Sequence, residues 1–514
     1  MRRLGSTRLR IFLVCWIVFT LHFATNIVRE HYPAFSLVED GDLYLDEYRG
    51  FHADIFEHPN GHAVVGNQVA GSLPAVPALL LFDPLLDALQ DWTLARQAEG
   101  HDPVREYRVG QPNRQDFFAR VRARGLSLRF GAAAFVTSAF CMAPLTAAFV
   151  VMFFQLLRRR RLPEGRAAGF SLLLAFGTPV FYRAAHLVHN QFLMMVVLGA
   201  FLLLWHDGDE EVPRRRVLGA GFLAGCCLAL DYAGVIPLLL LYAYLGLTRW
   251  RGLGGDGPAF PRAFRESLWF VAGSVPPVLF LWWTQYVMYG NPFLPGQMYQ
   301  QENAYTGAGM RGITWPNGEV FFRNLFDGSF GLAPFGPLLL LAFVPRRFFA
   351  GAAEGPSLIG RRERRAIWIF VWVFMLFCAM NRYSLLQFNT GFRYFLPLVP
   401  FLFLFVVDRV RDWPAPRLWL LAAPAVAHTW VLSMSRFTQP APDYDGMPVV
   451  VANWHEILTS GPQLPWLKTL RRVVPPDHWL QSPVWPTLIL AVGLGAAAAI
   501  WFGGARIART RGAG

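Results

Sequence analysis

Five carboxylates stand in one short run just after the first apolar segment of the chain: Glu39, Asp40, Asp42, Asp46 and Glu47. A carboxylate beside a low-dielectric region has a raised pKa or holds a cation, so this run suits a general base or a Mg²⁺ or Mn²⁺ site. Three acids within four residues do not by themselves define a metal site, so a need for a cation stays open. The alternative is a solvated acidic loop that only keeps this segment outside the membrane.

A second polar group lies between two apolar segments, at residues 182–191. It contains Arg183, His186, His189 and Asn190, which we expect at the outer face of the membrane. If this stretch is helical, a spacing of three residues puts His186 and His189 on one side, where they could bind phosphate or sugar. Histidines at a membrane interface also serve as simple anchors.

Asp231 and Tyr232 form a third candidate, in a turn between two apolar segments with no arginine nearby. An acid close to membrane depth is energetically costly, so its default interpretation is functional. The alternative is an acid that only reaches the outer interface. Under the functional interpretation, Asp231 and Tyr232 line a substrate cavity.

The fourth candidate is the stretch 381–397, which carries Arg382, Arg393 and Tyr394 in a predicted outer loop. A guanidinium group binds phosphate oxygens through two parallel hydrogen bonds. Arg393 is therefore a candidate to hold a lipid phosphate, with Arg382 and Tyr394 beside it. Arg311 and Arg323 are weaker candidates, and an arginine at a helix end is also a common headgroup anchor.

Membrane-spanning helices must position these groups. Of the 514 residues, 54% are hydrophobic and only 16% are charged, which leaves too little polar surface for a soluble protein of this size. Long apolar runs recur along the chain, so we expect an all-α polytopic membrane protein with a single membrane domain over residues 1–514 and about twelve transmembrane helices. The predicted spans are residues 11–28, 130–157, 168–182, 190–205, 217–230, 233–247, 267–288, 336–344, 366–380, 394–407, 418–432 and 486–502.

Arginine clusters set the predicted orientation. The clusters at residues 158–161, 214–216, 346–347, 361–365 and 506–511 belong in the cytoplasm, because Lys and Arg concentrate in cytoplasmic loops. Both termini are then cytoplasmic, and three large loops lie outside, at residues 29–129, 289–335 and 433–485. In the first loop the apolar stretch 73–82 is too short to cross, so we expect an interfacial helix followed by amphipathic surface helices.

Several functional classes are disfavoured by the composition. The net charge of +13 does not indicate nucleic acid, because the basic residues form short clusters between apolar runs rather than one soluble face. The five cysteines all fall in apolar runs without ligand or redox spacing. No phosphate-binding glycine loop occurs, so an activated nucleotide is not the expected donor. An outward-facing site would then need a lipid-linked phosphate donor in the same membrane.

These motifs together resemble the C-type superfamily of integral-membrane glycosyltransferases (GT-C), in particular bacterial proteins similar to the dolichyl-phosphate-mannose protein mannosyltransferases. The stretches that carry the resemblance are residues 37–48, 71–77, 176–179 with His189, Asp231 with Tyr232, and residues 289–293, 331–337 and 391–400. One departure concerns the residues before the stretch 71–77. Related sequences often place a lysine there, whereas this chain has Asn67 and Gln68.

The resemblance implies a GT-C-like fold in a bacterial inner membrane and an inverting transfer of sugar from a polyprenyl-phosphate donor. It implies that a first-loop carboxylate, Glu39, Asp40 or Asp42, acts as the base or orients the acceptor, and we favour Asp42 because it lies nearest Tyr44. It also implies that Arg393 pairs with the donor phosphate, that His189 and Asp231 line the cavity, and that the acids and Arg393 face one outward cavity.

Three other interpretations stay open at this point. A secondary transporter or flippase also fits the spans, although we find no convincing internal repeat and the polar groups gather at one face. A polysaccharide polymerase or ligase would share the lipid-linked substrate, and a non-catalytic membrane scaffold would not need the acidic run. The sugar, the acceptor class and the oligomeric state stay open.

Overall fold

The computed structural model describes residues 6–104, 112–205, 212–250, 259–302, 305, 307–349, 357–389, 391–436 and 446–511. Arg2 and Arg3, which precede the first predicted span, lie outside these residues, as do parts of all three predicted outer loops. The chain is mostly helical, with 72% of residues in helices and 2% in strands. It divides into two compact units: residues 1–55, 72–187 and 419–514 form the first, and residues 56–71 and 188–418 form the second.

The first unit is built on three long helices that pack side by side. Helix α1 contacts α6 and α20, and α3 packs on α5 and α2. Its helices are α1 (Thr7–Leu21), α2 (His31–Glu39), α3 (Val76–Ala98), α4 (Pro112–Ala123), α5 (Leu126–Thr137), α6 (Ala143–Arg159), α7 (Glu164–Phe176), α8 (Pro179–Arg183), α17 (Ala415–Ser435, mostly in this unit), α18 (Val449–Ser460), α19 (Pro465–Val473) and α20 (Val484–Arg511). A π-helical turn, Ser138–Met142, joins α5 to α6.

The second unit contains helices α9 to α16 and a small hairpin, of which only Ile55 belongs to the first unit. Strands β1 (Ile55–Glu57) and β2 (Ala63–Val65) form the hairpin. The helices are α9 (His189–Leu204), α10 (Arg214–Leu230), α11 (Val235–Trp250), α12 (Ala259–Tyr289), α13 (Gly318–Phe326), α14 (Leu332–Phe335), α15 (Arg361–Met380) and α16 (Val399–Val410). Short 3₁₀ segments connect them, among them Tyr232–Gly234, Gly296–Met298, Pro337–Phe343 and Arg382–Asn389.

Glycines set the closest helix pair of the second unit, α10 against α12. A Cβ at Gly221 would lie 2.0 Å from the carbonyl oxygen of Phe270, and one at Gly273 would lie 2.2 Å from that of Leu218. Only residues without a side chain allow the two backbones to approach so closely, which is the usual packing of helices in lipid. Larger residues at these positions would separate α10 from α12.

Among the residues that the structure describes, five helices are long and apolar enough to cross a membrane: Leu73–Ala98, Leu126–Arg159, Phe264–Tyr289, Ala415–Ser435 and Val484–Gly503. Four of them coincide with predicted spans. The first does not, because the apolar stretch 73–82, which we expected to be too short to cross, continues as helix through Asp83, Asp87 and Asp91 to Ala98. The helix is thus longer than its apolar run, and its expected interfacial position stays a prediction.

Two other predicted spans also differ from the observed elements. The first predicted span, residues 11–28, is helical only as far as Leu21, where the His22 ring binds the carbonyl of Val18 and the backbone N–H of Ala24 bonds to Ala185 instead of continuing the helix. The predicted span 336–344 is a 3₁₀ segment, Pro337–Phe343, between Gly336 and Pro345. At seven residues it is too short to cross a membrane.

Candidate functional site

Glu39 lies at the end of α2, and an aromatic cluster holds that helix in place. Phe35 of α2 stacks on Phe130 of α5, with ring centroids 5.7 Å apart and planes 7° apart. Tyr48 packs against both Tyr32 and Phe35, at 5.3 and 5.8 Å. Stacked and tilted rings of this size bury large apolar areas in a specific geometry. The cluster therefore fixes where the acid and the Tyr48 hydroxyl stand.

Tyr48 and Arg129 both bind the Glu39 carboxylate. The Tyr48 hydroxyl donates to the two carboxylate oxygens at 2.9 and 2.7 Å, and Arg129 donates to one of them at 2.6 Å. The Glu39 side chain is only 21% exposed and that of Arg129 is 9% exposed. Hydrogen bonds to ionised groups are short and about twice as strong as neutral ones. Glu39 is therefore held in one orientation.

Arg129 also binds acids from one face of α3. Asp83 and Asp87 lie 3.4 and 2.9 Å from its guanidinium, and the side-chain oxygen of Gln90 accepts at 2.6 Å. Positions 83, 87 and 90 recur at helical spacing, so all three side chains point the same way. Three carboxylates thus surround one cation, which leaves the group with a net negative charge.

The pKa of Glu39 is raised above its ordinary value, chiefly because the carboxylate has lost contact with water. The hydrogen bond from Tyr48 and the charge of Arg129 lower this pKa, whereas the charges of Asp40 and Asp83 raise it. Loss of water contact outweighs the two stabilising partners. A carboxylate with a raised pKa is a stronger proton acceptor once it is ionised, which suits a general base.

Asp40 and Asp42 are exposed. One oxygen of Asp42 accepts from the Ser36 hydroxyl at 3.0 Å and from the backbone N–H of Tyr44 at 2.9 Å, which is a local turn arrangement. The nearness to Tyr44 that led us to favour Asp42 thus reflects a turn. The geometry favours Glu39, and the choice among the three acids stays a prediction.

No group of three or more His, Cys, Asp or Glu side chains in the described part of the chain is arranged to hold a metal ion. Glu39 faces Tyr48 and Arg129, while Asp42 faces Ser36 and Tyr44. The Mg²⁺ or Mn²⁺ suggested by the acidic run stays a prediction.

The stretch 182–191 is not one helix, so the expected helical pairing of His186 with His189 is wrong. Helix α8 ends at Arg183, α9 begins at His189, and the two histidines belong to different units. Arg183 is only 1% exposed rather than at a surface. His186 accepts a hydrogen bond at 2.9 Å from Arg436, a residue that the sequence analysis did not single out. Burial lowers the pKa of His186 well below its ordinary value.

His189 and Asp231, both in the second unit, are in contact. The Nε2 atom of His189 lies 3.2 Å from Oδ2 of Asp231, and Oδ1 of Asp231 accepts from the backbone N–H of Ala233 at 2.9 Å. The side chains are 11% and 20% exposed. An ionised Asp231 carboxylate can only accept, and its partner in this contact would then be a proton on Nε2 of His189. The structure thus brings the two residues together, and their role as a cavity lining stays a prediction.

Tyr232 and Asn190 flank this pair in sequence. The Tyr232 hydroxyl accepts from the side-chain amide of Gln285 in α12 at 2.8 Å. Asn190 is 3% exposed at the start of α9. Asn190 is thus buried within the second unit, whereas Tyr232 is partly exposed.

A buried amide network fixes the backbone at Arg393. The side-chain oxygen of Gln387 accepts from the N–H groups of Arg393 and Tyr394, each at 2.9 Å, and its NH₂ group donates to Asn324 and to the Ser384 carbonyl, each at 2.8 Å. Gln387, Asn324 and Ser384 are at most 2% exposed. Such a fully satisfied buried network holds its members in a single arrangement.

The Arg393 guanidinium itself makes few bonds. Its carbon lies 5.1 Å from the Tyr394 ring, and its Nε is buried without a hydrogen-bond partner. No Asp or Glu pairs with Arg393 among the residues that the structure describes. A cation in this situation is electrostatically incomplete and suited to an anionic ligand.

The other arginines of the predicted outer loops differ in how many of their N–H groups already have partners among the described residues. Arg382 opens the 3₁₀ segment Arg382–Asn389, and its Nε is likewise buried without a partner. Arg311 donates to the carbonyls of Met298 and Gln300 and pairs with Glu302 at 3.4 Å. Arg323 pairs with Asp327 at 3.1 Å. Arg382 thus keeps the character of an anion ligand, whereas Arg311 and Arg323 have structural partners.

The structure adds four residues that the sequence analysis missed: Tyr48 and Arg129 beside Glu39, and Asn324 and Gln387 beside Arg393. The helical recurrence of Asp83, Asp87 and Gln90 was a signal that α3 presents a polar face to a cation. No local pattern marks the amide network. The first-loop acids lie in the first unit and Arg393 in the second, and their predicted common cavity stays a prediction.

Comparison with known proteins adds no further likeness: the chain matches no family model, no curated protein and no solved structure.

Proposed function

We propose that the chain is a membrane glycosyltransferase that moves a hexose from a polyprenyl-phosphate donor to an acceptor on the extracytoplasmic side. The observation that carries the proposal is Arg393, whose backbone is fixed by Gln387 while its guanidinium has no acidic partner among the described residues. In a chain rich in membrane-length apolar helices, the natural anion for such a group is a lipid phosphate.

The finer architecture belongs to the same proposal. It comprises about twelve spans in a GT-C-like arrangement, both termini in the cytoplasm, and large outer loops in a bacterial inner membrane. The arginine clusters between apolar segments support this orientation.

The proposed reaction is a single displacement with inversion at the anomeric carbon of the sugar. The bond from that carbon to the phosphate oxygen breaks, and its electron pair leaves with the phosphate. The acceptor oxygen forms the new bond, and its proton passes to ionised Glu39. The departing phosphate gains one negative charge, which Arg393 stabilises. Tyr48 and Arg129 act as positioning residues that hold Glu39 through hydrogen bonds.

A second candidate, a flippase or transporter of a lipid-linked sugar, is favoured by the pair of His189 and Asp231. Ionisable groups that pair between apolar helices often mark a transport route. Neither candidate requires a nucleotide.

Reconstitution into proteoliposomes separates the two. The vesicles contain a polyprenyl-phosphate hexose with labelled sugar, and a cell-envelope fraction of lipid, protein and polysaccharide supplies acceptors. We expect labelled acceptor to accumulate, and we expect Glu39→Gln to reduce transfer about a hundredfold or more. Asp46→Asn is the matched control, because Asp46 belongs to the same acidic run but pairs with exposed Arg49. Movement of label across the membrane without covalent transfer would support the transporter.

A further inference from the structure

We propose that a strip of four carboxamides in the second unit binds the hydroxyl groups of the sugar ring on the donor. The amide strip consists of Asn67, Gln68, Gln297 and Gln300. This inference rests on the proposed function, because it assigns the sugar part of the donor to residues other than those that bind the phosphate.

Two segments that are distant in sequence form the amide strip. Asn67 and Gln68 follow strand β2, and Gln297 lies in the 3₁₀ segment Gly296–Met298. The NH₂ group of Gln297 donates to the side-chain oxygen of Asn67 at 3.1 Å. The hydroxyl of Tyr289 also donates to the Val65 carbonyl. These bonds hold the two segments side by side.

Gly66 allows the side-chain amide of Gln300 to lie against the backbone at the end of strand β2. A Cβ at this position would lie 2.0 Å from the side-chain nitrogen of Gln300, so any larger residue would displace that amide. The Asn67, Gln297 and Gln300 side chains are partly exposed, and a ligand can therefore reach them. Each amide offers two donors and an oxygen with two lone pairs, so the single bond from Gln297 to Asn67 leaves capacity on both.

Aromatic rings stand beside the amide strip. The Tyr299 ring stacks on Tyr289, with centroids 5.3 Å and planes 23° apart, and the His58 ring meets Tyr299 at 5.0 Å. His58 and Tyr299 are partly exposed. A sugar ring has apolar C–H faces and polar hydroxyl edges, which suit an aromatic surface bordered by amides.

The charge of the amide strip indicates a neutral ligand. Its four side chains are uncharged, and the nearby cation, Arg311, is already bound to the carbonyls of Met298 and Gln300 and to Glu302. Amides without a neighbouring free cation fit hydroxyl groups better than phosphate oxygens.

Gln68 adds an unpaired donor. It is 9% exposed, and its NH₂ nitrogen is buried with no hydrogen-bond partner among the described residues. A buried polar group without a partner is energetically costly, and a rotation of the amide toward a bound hydroxyl would recover this cost. Asn67, Gln68 and Gln297 therefore keep donor or acceptor capacity for a ligand.

The test compares two lipids in nanodiscs: a polyprenyl-phosphate hexose and the same polyprenyl phosphate without sugar. We expect Gln297→Leu and Asn67→Leu to weaken binding of the sugar-bearing lipid about tenfold and to leave binding of the sugar-free lipid unchanged. Gln97→Leu, at an amide of the first unit, is the matched control and should change neither affinity.

The outcomes separate the two proposals. Equal weakening of both lipids, or no weakening of either by folded variants, would overturn the sugar assignment while leaving the proposed function intact. If the wild-type protein binds neither lipid, the proposed function fails and the sugar assignment fails with it. Because leucine can disturb the fold, Gln297→Glu, which preserves the side-chain size, is measured in parallel. We expect it also to weaken binding of the sugar-bearing lipid more than binding of the sugar-free lipid.

Discussion

Replacing Gln387 by leucine removes four hydrogen bonds from a side chain that is only 2% exposed. The groups left without this partner are the N–H groups of Arg393 and Tyr394, the side-chain oxygen of Asn324 and the carbonyl of Ser384. An unsatisfied buried group costs about 1 to 3 kcal/mol, so four groups at the lower end give a loss of about 4 kcal/mol in unfolding free energy. Titration with SDS in mixed micelles measures this loss.

The same substitution tests whether the network positions Arg393. With its backbone released, the Arg393 guanidinium should bind the donor phosphate less well, and we expect the KM for donor to rise about tenfold while acceptor KM changes little. Gln481→Leu is the matched control: its amide donates to carbonyls in the first unit, at 2.7 Å to Arg471, so its loss should reduce stability without changing the donor KM.

Unchanged stability and unchanged donor KM in Gln387→Leu would refute the reasoning about the network. If Gln387→Leu loses stability but has the same donor KM as Gln481→Leu, only the positioning role of the network is refuted.

Three further predictions concern pH dependence and pairing. The rate of sugar transfer should fall as the pH drops through the raised pKa of Glu39, because only the ionised acid accepts a proton. Tyr48→Phe removes a hydrogen bond that lowers this pKa. The acidic limb of the pH–rate profile should therefore move to higher pH in this variant. Asp83→Asn removes a charge that raises the pKa of Glu39, so the same limb should move to lower pH, and shifts of equal sign in both variants would contradict the assignment of the base. Asp231→Asn weakens the bond to His189 and should lower the unfolding free energy by about 1 to 2 kcal/mol in the same SDS titration, a result that an unchanged midpoint would contradict.

Helix positions followed from the apolar runs at four of the predicted spans. The predicted span 130–157 is the continuous helix Leu126–Arg159, and the predicted span 267–288 lies within Ala259–Tyr289. Prediction was poor where the type or the length of the helix did not match the apolar run. Pro337 and Gly336 confine the run 336–344 to a 3₁₀ segment, and the acids of α3 continue a helix beyond its apolar part because Arg129 pairs with them.

The candidate site was only partly accessible from sequence. Residue type and membrane context were enough to select Asp231, Arg393 and the first-loop acids Glu39, Asp40 and Asp42, but among these acids they led us to favour Asp42. Their partners were not accessible, because Arg129 is 90 residues from Glu39 and Gln387 is 63 residues from Asn324. Pairing over such distances is set by tertiary packing, and no local spacing encodes it.

The most direct test of the central claim is the single-turnover release of polyprenyl phosphate from a bound polyprenyl-phosphate hexose, measured for wild type and Arg393→Met. Because Arg393 would stabilise the charge on the departing phosphate, we predict a rate lower by about 30- to 1000-fold, which corresponds to about 2 to 4 kcal/mol. Arg96→Met, which removes an exposed arginine near the end of α3 that pairs with Glu99, should release at the wild-type rate. Release from Arg393→Met at the wild-type rate would contradict the claim.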